Sequence, residues 1–365
     1  MNIKESIRRF LYGLPSRVKI GGRYIGADEP VFVIAEIGIN HNGDIELAKK
    51  LIDAAKEAGA DAAKFQKRTT TEILTKEGLD RPYTSPHAYG ATYGEHREKL
   101  EFSREQYLEL KAYAEKQGIR FFASVWDHKS ADFLAELNID AYKIPSADLT
   151  NIPLLEYVAR KNLPVLLSTG MSTFEEIEAA VAAILKHNHR VILFHCLSLY
   201  PSPEDKINMR FMDRMKSVFA PLPVGYSGHE IDLLPTLVAV SRGACIIERH
   251  LTLDKTMKGS DHAASLEPHQ FKELVQTLRR VESILGSAEK IMYEELQPLR
   301  EKLAKSIVTR QPIQKGTRIT EAMLTAKSPG SGISPLDLPR VLGRRARVDL
   351  EADVALPKEA LSWKR

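Results

Sequence analysis

The stretch VFVIAEIGINHNG, residues 31–43, runs from a continuous apolar segment through Glu36 into a polar loop with two glycines. An apolar run of this length is typical of a strand buried on both faces, as in a parallel sheet. Glu36 lies where that strand would end. Most charged side chains are solvated. Evidence from elsewhere in the chain is therefore needed to decide whether Glu36 is a solvated residue at a strand end or a functional carboxylate.

Seven more apolar runs follow, and helical patterns separate them. The eight runs are VFVIAE (31–36), AAKFQ (62–66), IRFFASV (119–125), DAYKI (140–144), PVLLST (164–169), VILFHC (191–196), PVGYS (223–227) and CIIERHL (245–251). Eight strand–helix units over about 255 residues predict the α/β class and a (β/α)8 TIM barrel, assigned to residues 1–286. A doubly wound open sheet is the alternative.

Helix signals fall between these runs as the barrel requires. Asp44 is a candidate N-cap and Gly59 a candidate stop for the first helix. Capping boxes are predicted at Ser103–Gln106 and Thr173–Glu176, where each side chain can satisfy a free amide of the first turn. A last helix is predicted over residues 268–285.

The C-terminal part of the chain has a different pattern. Residues 287–303 are interpreted as a polar helical linker, and residues 304–365 contain short segments with several glycines and prolines. IQKGTRITEAML (313–324) and LEADVALPKEAL (350–361) form a weak internal repeat, because both have an apolar–polar–turn–apolar pattern that ends in a short helical stretch. We expect a small β-rich domain after the linker.

Composition limits the class of partner. The net charge of +4 is spread over many residues of both signs, which argues against nucleic acid but tolerates a small anionic substrate. Cys196 and Cys245 lie in apolar runs, so we expect reduced core thiols in a cytoplasmic protein. The first 20 residues do not resemble a secretory signal, and no apolar run suggests a membrane span. RRFLYGL (8–14) is interpreted as a short arm without assigned function.

The predicted strand ends carry polar side chains, and in such barrels the active site forms at the C-terminal ends of the strands. They are Glu36, Lys64, Gln66, Ser124, Lys143, Ser146, Ser168, Ser198, Tyr200, His229, Glu248 and His250. A single strand-end serine is usually a turn residue, whereas a lysine inside a buried strand needs an anion. His195 is interpreted as a hydrogen-bonded core histidine and left out.

This set of residues favours an anionic substrate and a divalent metal. Two lysines and several hydroxyls suit a phosphate or carboxylate. His229 and His250 beside Glu248 suggest Mn²⁺ with open positions, which could polarise an aldehyde oxygen. Two carboxylates, Glu36 and Glu248, could transfer protons. The sequence has neither a GxGxxG loop nor a Walker loop.

Several motifs together resemble the sialic acid synthases, a family that includes pseudaminic and legionaminic acid synthases. The motifs are AEIGINHNG (35–43), KFQ (64–66), KIPSAD (143–148), STGM (168–171), HCLSLYPSP (195–203), GYSGHE (225–230) and IERHLTLDKTMKGSDHAASLEP (247–268). The resemblance covers roughly residues 20–365, and the tail, 304–365, is similar to the antifreeze-like (SAF) domain of these enzymes.

The resemblance implies a reaction and a set of roles. Members condense phosphoenolpyruvate with the open-chain aldehyde of an N-acetylated hexosamine, releasing phosphate by C–O cleavage and giving a nonulosonic acid. Tyr200 and Glu248 would contact the sugar, and Glu36 would transfer protons. His229 and His250 would hold Mn²⁺ or Mg²⁺. Phosphoenolpyruvate would be bound by Lys64, Ser124, Lys143, Ser146, Ser168 and Ser198. A domain-swapped homodimer, with each tail on the partner's barrel, is implied as well.

Departures from the family pattern put the sugar in doubt. ASVWD (123–127) replaces the usual Ser/Thr-Thr-Pro-Phe-Asp. Ser328 in AKSPG stands where the family has an arginine that reaches the sugar, and Lys305 or Lys327 could compensate. Residues 69–102 are predicted to form a long loop, either a lid over the substrates or a packed surface excursion.

Two other functions remain open from the residues. A Schiff-base pyruvate aldolase of the barrel class would use Lys64 or Lys143 as its nucleophile. A non-catalytic carbohydrate-binding protein would use the tail for recognition. The histidine pair argues against the aldolase, and the pair of carboxylates beside it argues against a pure binder.

Overall fold

Eight parallel strands close into a barrel in the first of two compact units, Met1–Gly286; the second unit is Ser287–Arg365. The computed structural model describes residues 10–363. Each barrel strand pairs with the next along the chain, and the pairing of Ile246 with Phe32 joins the last strand to the first. The predicted TIM barrel is confirmed, and the open sheet is excluded.

The barrel strands follow the predicted apolar runs closely. An N-terminal hairpin, β1 (Arg17–Ile20) and β2 (Arg23–Gly26), precedes them. The barrel consists of β3 (Phe32–Gly38), β4 (Ala62–Lys67), β5 (Arg120–Val125), β6 (Tyr142–Ile144), β7 (Val165–Ser168), β8 (Val191–Cys196), β9 (Val224–Gly228) and β10 (Ile246–His250). All seven residues of β3 are buried, as expected for a parallel sheet covered by helices.

The hairpin was not predicted from the sequence. Ile20 and Ile25 are fully buried in the core of the barrel unit. Arg23 donates to the carbonyl of Val31 at 3.2 Å, just before β3 begins. The hairpin therefore lies at the N-terminal ends of the barrel strands. Of the predicted arm, residues 8–14, residues 8 and 9 lie outside the described residues, and Leu11 is buried in the same core.

The helices begin and end where the sequence signals indicate. Asp44 caps the first helix by accepting from the amides of Glu46 and Leu47, and both predicted capping boxes form. The helices of the first unit are α1 (Ile45–Glu57), α2 (Thr70–Ile73), α3 (Lys76–Asp80), α4 (Tyr93–Leu100), α5 (Arg104–Gln117), α6 (His128–Glu136), α7 (Ile152–Arg160), α8 (Phe174–Leu185), α9 (Arg210–Val218), α10 (Leu234–Ser241) and α11 (Pro268–Leu285). No helix within residues 10–363 is both long enough and apolar enough to cross a bilayer.

The prediction of a long loop over residues 69–102 is wrong, because the segment contains α2, α3 and α4. Its aromatic side chains pack on one another: the rings of Tyr83 and His96 have centroids 4.6 Å apart, and Tyr93 contacts both. The segment also meets the loop after β10, where the amide of Gly259 donates to His87 Nδ1 at 3.3 Å. We call residues 69–102 the β4–α5 excursion.

The second unit has its own small core. It contains α12 (Gln297–Leu303), β11 (Ser306–Thr309), β12 (Leu324–Lys327) and α13 (Leu338–Val341). The two segments of the weak internal repeat are paired where Ile313 and Leu350 exchange backbone hydrogen bonds of 2.8 Å. Of the predicted helical linker, residues 287–303, only residues 294–303 are helical. Several apolar side chains of the linker are exposed, among them Ile291, Tyr293 and Leu299.

A buried ion pair joins the ends of β9 and β10. Arg249 Nη1 lies 2.9 Å from Glu230 Oε1, and both side chains are fully buried. Tyr226 and Thr236 each donate to the Glu230 carboxylate at 2.8 Å. Because successive side chains in a strand point to opposite faces, Arg249 points away from the barrel interior while Glu248 and His250 enter it.

Glu230→Gln should destabilise the fold strongly, because it leaves the Arg249 guanidinium buried without a counter-charge. We expect the free energy of unfolding to fall by about 3–5 kcal/mol, the usual effect of breaking a buried pair. Urea titration of the full chain measures it. Glu136→Gln removes the exposed pair with Arg104 and is the control, with an expected change below about 1 kcal/mol. Equal effects of both changes would contradict the prediction.

Candidate active site

Four charged side chains form the floor of a cavity at the C-terminal ends of the barrel strands. Lys64 Nζ lies 2.6 Å from Glu36 Oε2 and 3.6 Å from Glu248 Oε1, and Lys143 Nζ lies 3.5 Å from the same Glu248 oxygen. All four are at most 5% exposed. The register places Glu36 beside Lys64 on neighbouring strands, so the closed barrel itself brings opposite charges together.

The two carboxylates have pKa values shifted in opposite directions. Burial raises the pKa of Glu36 and outweighs the opposing effect of the Lys64 ammonium; the Glu248 carboxylate raises it further. Burial also acts to raise the pKa of Glu248, but Lys143 and Lys64 together hold it at about 2. Glu36 is therefore the carboxyl of the pair that can carry a proton, while Glu248 stays ionised.

Hydroxyl groups extend this floor on one side. Lys64 donates to Ser124 Oγ at 2.8 Å and Lys143 to Ser168 Oγ at 2.6 Å. The amide of Gly170 donates to Ser146 Oγ at 2.9 Å. Donors of this kind around an open space are suited to the oxygens of a small anion.

Gly170 leaves room among these groups. A Cβ at this position would lie 2.9 Å from Ser146 Oγ, 3.0 Å from Cys196 Sγ and closer still to Ser198 Oγ. Only a residue without a side chain keeps these three polar groups facing one open space. We call Ser146, Gly170 and Ser198 the hydroxyl cradle.

Two histidines face each other near the hydroxyl cradle, where Cys196 Sγ lies 4.0 Å from both Ser198 Oγ and His229 Nδ1. The rings of His229 and His250 have centroids 5.2 Å apart, and the Tyr200 ring lies 4.0 Å from that of His229. His229 Nδ1 donates to the carbonyl of Leu197 at 2.8 Å, which leaves the lone pair on Nε2. His250 Nδ1 is buried without a hydrogen-bond partner, and Asp261 Oδ2 lies 3.8 Å away.

The pKa values of the two imidazoles are shifted in opposite directions. Burial lowers the pKa of His250 to about 3, so this ring is neutral. Burial also lowers the pKa of His229, but its contacts with Cys196 and Leu197 outweigh burial and raise the value overall. No group of three or more His, Cys, Asp or Glu side chains within residues 10–363 is arranged to hold a metal ion. A metal held by the two imidazoles alone would need further ligands.

The cavity, of about 250 Å³, gathers almost all the residues predicted from the sequence. Its lining includes Glu36, Lys64, Ser124, Lys143, Ser146, Ser168, Ser198, Tyr200, His229, Glu248 and His250. Lys305 is not among them: it lies in the second unit, where its ammonium donates to Ser328 Oγ at 2.7 Å. His195 is a core histidine as expected, with Nε2 2.7 Å from the carbonyl of Ile207.

Sequence reasoning gave no site role to several other lining residues, among them Arg68, Trp126, Cys196 and Asp261. Arg97, which also lines the cavity, lies within residues 69–102, the segment predicted as a possible lid. Cys196 was assigned to the core because its run is apolar, yet its position at the end of β8 was a signal for the cavity. The β4–α5 excursion and the loop after β10 bring Arg97 and Asp261 to the rim, and no strand pattern indicates that.

Comparisons with known proteins agree with this architecture. A sequence model of the NeuB family matches residues 51–290, and one of the SAF domain matches residues 304–362. N-acetylneuraminate-9-phosphate synthase of Homo sapiens is 43% identical over 339 residues, covering 93% of this chain and 94% of that protein. N,N'-diacetyllegionaminic acid synthase of Legionella pneumophila subsp. pneumophila is 38% identical over 337 residues, covering 91% and 94%.

A solved structure supports the same relationship. The crystal structure of N-acetylneuraminic acid (sialic acid) synthetase from Leptospira borgpetersenii serovar Hardjo-bovis, in complex with citrate, has a TM-score of 0.70 and 35% sequence identity. The match covers 79% of this chain and 96% of that chain.

Gly170→Ala should weaken anion binding without unfolding the barrel, because the added methyl group displaces the hydroxyls of the cradle. We expect inorganic phosphate to raise the Tm of the unaltered protein and to have little effect on the variant. Gly78→Ala is the control, since a Cβ there meets neighbours only at 3.5 Å or more. A full phosphate-induced shift in Gly170→Ala would show that the cradle does not hold the anion.

Proposed function

The chain belongs to the NeuB family, and on that premise we propose that it is a nonulosonic acid synthase. It condenses phosphoenolpyruvate with the open-chain aldehyde of an N-acetylated hexosamine and releases phosphate by C–O cleavage. One observation carries the proposal: a single cavity combines two lysines and several hydroxyls with two carboxylates and two imidazoles. Its relatives include synthases named for sialic and legionaminic acids.

Phosphoenolpyruvate occupies the floor and the cradle in this proposal. Lys64 and Lys143 meet its negative charges, and the hydroxyls of Ser124, Ser146, Ser168 and Ser198 complete the set of donors. Both ammonium groups are buried, so their attraction for an anion is screened less than at the surface. Glu36 and Glu248 lie within ion-pair distance of these lysines in the absence of a substrate.

A divalent cation, Mn²⁺ or Mg²⁺, fits the histidine pair. The hydrogen bond from His229 Nδ1 to Leu197 fixes the ring and directs Nε2 outward as an acceptor, a common arrangement for metal-binding histidines. The unpartnered Nδ1 of His250 is consistent with a missing ligand. When bound, such an ion would supply Lewis-acid polarisation of the aldehyde oxygen.

The residues of the floor handle protons in the proposed reaction. Carbon 3 of phosphoenolpyruvate forms a bond to the aldehyde carbon, and the aldehyde oxygen takes up a proton to become a hydroxyl. Water adds at carbon 2 and loses a proton. The bond from carbon 2 to the phosphate oxygen then breaks and the carbon 2 hydroxyl gives its proton to the departing phosphate, which leaves a ketone and inorganic phosphate. Glu36 transfers the protons. The ionised carboxylate of Glu248 and the neutral side chain of Tyr200 orient the sugar.

One observation favours the Schiff-base alternative. Burial lowers the pKa of Lys143, which is a property of amine nucleophiles. However, Lys143 already donates to Ser168, and Lys64 is in an ion pair with Glu36. Borohydride trapping with pyruvate distinguishes the two: covalent labelling of Lys143 would support the aldolase, and its absence, together with phosphate release, supports the synthase.

The proposal extends to a homodimer in which each tail reaches the barrel of the partner. The exposed apolar side chains of residues 287–303 support it, because such surface is typically covered in an assembly. Lys305 would then approach the sugar of the partner in place of the family arginine.

Turnover should require metal, whereas folding should not, because the barrel core is apolar and the histidine pair lies at its end. We expect chelation to abolish phosphate release while the circular dichroism spectrum stays native. Restoring Mn²⁺ should restore activity. Full activity after verified metal removal would contradict the metal assignment.

Glu36→Gln should lower kcat by on the order of 10²–10⁴, the usual contribution of a positioned acid or base. The KM for phosphoenolpyruvate should change little, because lysines and hydroxyls hold its anionic groups. Steady-state phosphate release measures both values. Glu57→Gln, an exposed change on α1, is the control. A near-normal rate in Glu36→Gln would mean that Glu36 transfers no proton.

A further inference from the structure

A second cavity of about 350 Å³ adjoins the active site. Four residues line both cavities and form a common wall: Arg68, Arg97, Trp126 and Ala147. No carboxylate belongs to this shared wall. The function proposed above gives Arg68, Arg97 and Trp126 no role, so the wall needs its own explanation.

Of the two arginines in the wall, Arg68 has a carboxylate partner and Arg97 has none among the described residues. Arg68 is 3% exposed, pairs with Glu101 at 3.1 Å and lies over the Trp126 ring at 4.6 Å. Arg97 is half-buried and donates to Tyr93 Oη through Nε at 2.8 Å. Within residues 10–363 no carboxylate lies within ion-pair distance of Arg97. Its positive charge is therefore available to a ligand.

Trp126 adds an unused donor. Its indole Nε1 is buried without a hydrogen-bond partner among the described residues. Buried donors are nearly always satisfied in native proteins, so this one, next to the Arg68 guanidinium, is a candidate donor to a ligand oxygen. An anion with several oxygens would supply that acceptor and pair with Arg97.

The floor of the active site cannot account for this positive wall. There, two lysines are matched by two carboxylates, and they are assigned to phosphoenolpyruvate. The carboxylates of the second cavity, Glu72 and Asp148, have partners of their own: Glu72 pairs with Lys129 at 2.6 Å, and Asp148 accepts from Asn151 at 3.0 Å.

We propose that the wall formed by Arg68, Arg97 and Trp126 binds a phosphate monoester carried by the acceptor sugar at the end opposite its aldehyde. The inference rests on the proposed function and specifies its acceptor. Guanidinium groups suit phosphate because their donors match its oxygens in pairs. Arg97 comes from α4, so the β4–α5 excursion contributes substrate specificity to the barrel.

The test compares three acceptors in phosphate release from phosphoenolpyruvate: N-acetylmannosamine, N-acetylmannosamine 6-phosphate and a diacetamido hexose. The unaltered protein should prefer the 6-phosphate. Arg97→Gln should lower kcat/KM for the 6-phosphate by about 10–100-fold, since a hydrogen bond to a charged group is lost. The unphosphorylated sugar and the KM for phosphoenolpyruvate should change by less than about two-fold.

Two further variants separate specificity from structure. Lys99→Gln removes an exposed cation from the same helix, outside both cavities, and should leave all three acceptors unaffected. Arg97→Lys keeps the charge and should restore part of the activity on the 6-phosphate.

Each remaining outcome decides against the inference. Equal losses on phosphorylated and unphosphorylated sugars in Arg97→Gln would indicate a structural role. A raised KM for phosphoenolpyruvate would assign Arg97 to that substrate. Turnover of an unphosphorylated sugar alone by the unaltered protein would overturn the inference while leaving the synthase function in place. Turnover of none of the three would overturn the proposed function and the inference with it.

Discussion

The ion pair between Arg249 and Glu230 fixes the geometry on which the active site depends. Glu230 follows His229, and Arg249 separates Glu248 from His250, so one buried contact ties together the strand ends that carry three site residues. Hydrogen bonds from Tyr226 and Thr236 satisfy the carboxylate further. A fully buried pair of this kind is stable only when both partners remain, which makes it a rigid connection and not an adjustable one.

Closure of the barrel also removes four ionisable side chains from water. The register places Glu36 beside Lys64, and Glu248 lies between Lys64 and Lys143. Each charge is therefore near an opposite one. The same arrangement separates the two carboxylates chemically, because the lysines keep Glu248 ionised while burial favours the protonated form of Glu36.

The barrel and the floor of its cavity could be predicted from the sequence because both follow from short-range patterns. Apolar runs define the strands, and a polar residue at the end of a run marks the cavity. The position of Arg97 could not be predicted in this way. Arg68 and Trp126 directly follow β4 and β5, but Arg97 joins them only because the β4–α5 excursion folds into three helices on its own aromatic cluster. The ion pair between Glu230 and Arg249 was not predicted, because in the sequence each is a charged residue next to a histidine and no pattern indicates that they pair.

The N-terminal hairpin has a consequence for the order of events at the site. Since it covers strand starts at one end of the barrel, molecules enter and leave through the opposite mouth. Along that route exposure falls with depth: Tyr200 is 48% exposed at the rim, whereas Lys64 is 1% exposed at the floor. A ligand at the rim therefore stands in the path of one bound at the floor. In the proposed function phosphoenolpyruvate would lie below the sugar, so the deeper substrate would have to bind first.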